Sequence, residues 1–153
     1  MFVAAAGAAA ALAGLVFVAV SINIDRILKY RGLPERALVT VLLIVSVLLV
    51  ALLGLAPDQS RDTFGTELLV ESIAAFLLLM GLIIRSHIPR PEEESHLFSA
   101  LGLTAIGTIP FIIGAIGVLT QSGGGLYWTL AGMVAAILGR VLNAWVLLVE
   151  ILR

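Results

Sequence analysis

Glu71, Arg140, Asn143 and Asp25 are the side chains that could do chemistry, because each falls in or beside a long apolar run. An ionisable group at depth in a bilayer costs at least ~2.5 kcal/mol on insertion scales, so each needs a partner or a purpose. Glu71 is placed about one turn inside its apolar block, on a stripe with Ala74, Leu78 and Gly81. Two chemistries suit it: a hydrated or neutral carboxyl at the interface, or a carboxylate that carries a proton or binds a cation. Arg140 falls ~21 Å along a span counted from Leu126 at 1.5 Å per residue, past the midplane. Asn143 follows one turn later, Glu150 continues that face, and Gly132 and Ala136 above them turn it towards neighbouring helices. A guanidinium can snorkel several Å, to the level expected for Ser21, Asn23 and Asp25. An Arg140–Asp25 link assisted by Asn143 is therefore expected as structural glue, with a transport or anion site as the alternative.

The other constellations are poor. The segment HIPRPEEESH brings His87, Glu92, Glu93, Glu94 and His96 into one loop. Its spacing fits no compact metal motif, and its prolines make it an ordinary solvated turn, so no metal is expected. The chain has no cysteine, which excludes disulfides, thiolate metal sites and cysteine nucleophiles. No Ser/His/Asp arrangement, phosphate loop or helix-borne His/Glu pair occurs, so neither an enzyme nor a cofactor is expected. No basic stripe with interleaved aromatics supports nucleic-acid binding.

Composition names the solvent in which these residues must be positioned. Hydrophobic residues make up 61% of the 153-residue chain and charged residues 12%, against about 45–50% and about 25% in globular proteins. Blocks of about 20 apolar residues match the bilayer's hydrocarbon thickness. Five are found, at about 2–24, 37–56, 68–84, 97–119 and 126–152. The fold expected is an all-α membrane protein, a bundle of about five transmembrane helices forming one domain over 1–153. Pro57 closes the second span, the third is entered through the polar turn PDQSRDTFGT, and the fifth follows the Gly123–Gly125 run. The first span is expected to be retained, because no Lys or Arg precedes it as a signal peptide would require.

Orientation follows from the nine Lys and Arg residues. Seven (Arg26, Lys29, Arg31, Arg36, Arg85, Arg90 and Arg153) fall on one side, Arg61 on the other and Arg140 within a span. By the positive-inside rule the N-terminus is outside and the C-terminus cytoplasmic. Helices in lipid associate through small residues and polar links rather than hydrophobicity. Ala4, Gly7, Ala11, Gly14, Val18, Ser21 and Asp25 form such a stripe on the first span, read as a packing face with a pore lining as the alternative. Gly107, Pro110, Gly114 and Gly117 form another on the fourth, where Pro110 frees the Ile106 carbonyl and implies a kink or hinge. The second span, nearly all large aliphatics, is expected to face lipid.

The opening FVAAAGAAAALAGLVFVAVSINIDRIL and the closing LNAWVLLVEILR resemble a group of small actinobacterial multi-span membrane proteins, some of them labelled modulators of the FtsH membrane protease. The resemblance covers both ends and the span pattern. It implies the same fold and a bacterial plasma-membrane location, and it carries over no functional residue. Arg140 and Asn143 also share the Arg/Asn pair of eicosanoid- and glutathione-metabolising membrane enzymes, but the glutamate spacing and the position in the last span do not fit. Two functions remain. The leading expectation is a non-catalytic accessory or regulatory protein that contacts the lipid bilayer and binds itself or other membrane proteins. The alternative is a small homo-oligomeric ion channel or transporter using Glu71 and Arg140/Asn143.

Overall fold

The second apolar block, expected to face lipid, instead lies at the centre of the protein. In the structure, a computed structural model, its helix carries the largest share of the core: Leu43, Ile44, Val47, Val50 and Ala51 are each at most 1% exposed. The structure describes residues 1–29, 33–87, 94–122 and 124–152, with the backbone alone at 26, 33, 36, 86–87, 94–100, 140 and 142–152.

The described chain is helical: α1 (Phe2–Ile22), α2 (Ile24–Lys29), α3 (Leu33–Leu53), α4 (Arg61–His87), α5 (Glu94–Leu119) and α6 (Gly125–Leu152). Among the described residues, Phe2–Ile22, Arg61–Arg85 and Leu101–Leu119 are long and apolar enough to cross a membrane, while Ala37–Leu53 and Gly125–Gly139 are shorter apolar helices. Each long helix except α4 begins and ends within a few residues of its apolar block. The turn expected before the third span is half helix, because α4 begins at Arg61. Ser60 caps it: the Thr63 N–H donates to Ser60 Oγ at 3.1 Å, which satisfies one orphan donor. Asp62 in the first turn adds a favourable charge at the positive end of the helix dipole.

α3, α4, α5 and α6 close a ring in which each helix packs on two neighbours, and α1 lies outside it against α3 and the edge of α6. The α5–α6 hairpin is the tightest contact. A Cβ on Gly114 would stand 2.5 Å from Thr129 Oγ1 and 3.0 Å from the Gly125 carbonyl oxygen. One on Gly125 would stand 2.5 Å from the Val118 nitrogen. The hairpin turns through Gln121 at φ 52° and Gly124 at φ 113°, the latter a conformation open mainly to glycine. At the same end α1 is pinned by Phe2, which covers Gly54 and meets the Phe64 ring edge-on at 5.6 Å.

The outer surface is apolar. Val3, Phe17 and Ile22 on α1, Val70 and Leu77 on α4 and Ile106 on α5 are all exposed, while hydroxyls face inward at Ser46, Ser72, Thr108 and Thr129. Such an arrangement suits lipid, where there is no penalty for leaving aliphatic side chains outside.

Candidate functional site

The inward hydroxyls sort into two kinds. Ser72 Oγ donates to the Leu68 carbonyl at 2.6 Å, Thr108 Oγ1 to Thr104 at 2.9 Å and Thr129 Oγ1 to Gly125 at 3.0 Å. Each commits its one proton one turn back on its own helix. Ser46 reaches across. Its Oγ donates to Glu71 Oε1 at 2.6 Å, joining α3 to α4.

Glu71 Oε2 is buried and makes no hydrogen bond among the described residues. α4 starts at Arg61, so the carboxyl lies ten residues from the helix start, ~15 Å along the axis. The expected stripe of Ala74, Leu78 and Gly81 is exposed, so Glu71 turns towards α3 and away from it. A half-bonded carboxyl inside an apolar bundle can accept one more donor: a proton, or a cation on Oε2.

Of the other expected site residues, only Asp25 has a described side chain. Asp25 is exposed on the short α2, which is set off from α1 by Asn23, whose Nδ2 donates to the Ala19 carbonyl at 3.0 Å. Arg140 and Asn143 lie on α6, but their side chains fall outside the described residues, and so do that of Glu150 and those of the HIPRPEEESH segment. The Arg140–Asp25 link therefore has one exposed end and one end outside the description. Among the described residues no cluster of His, Cys, Asp or Glu could hold a metal ion.

The two small-residue stripes part company. On α5, Gly107 and Gly114 are buried, Gly117 and Pro110 half-buried, and the stripe is the contact with α6 and α3. The helix continues through Pro110 without a break. On α1 and the start of α2 the stripe packs on nothing among the described residues: Ala4, Gly7, Ala11, Gly14, Val18, Ser21 and Asp25 are all exposed. No atom comes within 4 Å of a Cβ built on Gly7 or Gly14. The docking face of α1 is formed by Ala9 and Val16 with Phe2, Ala5, Leu12 and Val20 around them. At 3.6 residues per turn it points directly opposite the stripe.

A further feature was not read from the sequence. Where the 54–60 and 120–124 loops meet, a cavity of about 440 Å³ opens at the end of the ring, lined among others by Phe2, Phe64 and Leu126 and by Gln59, Arg61 and Gln121. Its residues come from three chain segments with no shared periodicity, which left no signal to find. Comparison of the chain with protein-family models, curated proteins and solved structures finds no match.

Proposed function

We propose that the chain is a five-span bacterial plasma-membrane protein, N-terminus outside and C-terminus cytoplasmic, that acts without catalysis as an accessory partner of other membrane helices. The observation that carries this reading is the open Gly7–Gly14 face of α1. Small residues allow two backbones to approach closely in lipid, where van der Waals packing rather than hydrophobicity holds helices together. On α5 the same device is used inside the chain; on α1 it is left uncovered. The resemblance of both chain ends to proteins labelled as protease modulators points the same way. Co-purification from native membranes tests this. Gly7→Leu with Gly14→Leu is expected to release associated chains while the variant still folds, since both positions face open space. Ala8→Leu, exposed beside the stripe, is expected to leave association intact. Loss of folding in the first variant, or equal loss of association in both, would count against the reading.

A second reading, transport, is favoured by the unpartnered oxygen of Glu71. In it the carboxyl exchanges a proton or cation within a homo-oligomer, with Arg140 and Asn143 further along the path. Flux through proteoliposomes that is abolished by Glu71→Gln and spared by the α1 double variant would move this reading ahead of the first.

A further inference from the structure

The cavity at the loop end of the ring has the size of a ligand site, about 440 Å³ against roughly 300–1,000 Å³ for small-molecule pockets. Its lining is mixed. Phe2, Phe64 and Leu126 supply apolar surface, Gln59 and Gln121 polar groups, and Arg61 the one charge that lines it. Asp58 and Asp62 flank Arg61 and are exposed, but neither lines the cavity. Tyr127, which also lines the cavity, and its neighbour Trp128 are 79% and 49% exposed, aromatic residues of the kind that collect where bilayer meets water.

We propose that this cavity binds the zwitterionic headgroup of a phospholipid. The Arg61 guanidinium pairs with the phosphate oxygens, a fork geometry that an ammonium cannot reproduce. The Gln121 amide donates to the same oxygens, while the Gln59 amide is held by the Glu67 carboxylate. The glycerol and first acyl carbons lie against Phe2 and Phe64. The headgroup's ammonium points outward to Asp58 and Asp62. Those two carboxylates decide between headgroups: a purely anionic one would meet them beside Arg61 and lose the attraction, whereas one carrying both charges uses all three side chains. The first turns of α4 and α6 open at the cavity, and their dipoles add to the phosphate end.

Native mass spectrometry of the full chain in neutral detergent tests this with three probes: phosphatidylethanolamine, phosphatidylglycerol and soluble glycerophosphoethanolamine. The wild type is expected to retain phosphatidylethanolamine most strongly. Arg61→Gln is expected to weaken it by about tenfold or more, the loss of a charge-assisted hydrogen bond. Arg85→Gln, an exposed cation at the far end of α4, is expected to leave it unchanged. Asp58→Asn with Asp62→Asn is expected to move the preference towards phosphatidylglycerol. Equal retention of both lipids by the wild type, or an Arg61→Gln variant that binds as the wild type does, would overturn the proposal. Binding of glycerophosphoethanolamine as tight as that of the lipid would also overturn it, by assigning the cavity to a free solute.

Discussion

Ser46 and Glu71 form a polar link between α3 and α4 inside the ring, and their energetics follow from what each substitution leaves behind. Ser46→Ala strips the donor from Oε1 and leaves both carboxyl oxygens unpartnered, which is expected to cost about 1–3 kcal/mol. Glu71→Leu removes the acceptor, and the freed Ser46 hydroxyl can turn back to the carbonyl of Leu42, as the other inward hydroxyls do on their own helices. The double variant is therefore expected to be more stable than the sum of the single losses implies, by about 0.5–3 kcal/mol. Thermal unfolding of the four proteins in detergent measures it, and strictly additive losses would show that the two residues do not act as a pair. Glu71 was legible in the sequence because a carboxylate in an apolar run demands an explanation. Ser46 was not, since a lone serine among aliphatics ordinarily bonds its own helix, as Ser72 does.

At the scale of elements, glycine means opposite things on α5 and α1. Gly114→Ala and Gly125→Ala would each drive a Cβ into backbone or side-chain atoms at 2.5–3.0 Å. Each is expected to destabilise the fold by about 1–3 kcal/mol, as overpacking does. Gly7→Ala meets nothing and is expected to be neutral or to stabilise by up to about 1 kcal/mol through helix propensity. Unfolding midpoints of these variants, read side by side, check the assignment. The apolar blocks gave the helix positions well, because length and hydropathy alone decide what can span a bilayer. They gave the arrangement badly. In lipid a leucine is equally at home inside or outside, so the aliphatic α3 could be expected to face lipid, whereas it carries the largest share of the core. The hint lay in the hydroxyls of α3: Thr40 and Ser46 are both buried, and polar groups on a spanning helix turn away from lipid.

For the whole molecule, the seven-to-one division of cations outside the spans predicts the orientation and hence the side of the membrane on which the cavity opens. The chain has no cysteine, so single introduced thiols report cleanly. Ser122→Cys, exposed in the 120–124 loop, is expected to react with a membrane-impermeant maleimide in intact cells. Arg85→Cys, exposed at the opposite end, is expected to react only after the membrane is opened. The reverse pattern would invert the topology and move the cavity to the cytoplasmic face.

The α1 surface itself is tested most directly by photocrosslinking in native membranes. A benzophenone maleimide placed on Ala11→Cys, in the middle of the open stripe, is expected to yield discrete protein adducts. The same reagent on Val70→Cys, an exposed aliphatic position of α4, is expected to yield lipid adducts alone. Adducts to lipid alone at both positions would contradict a role for α1 in helix association.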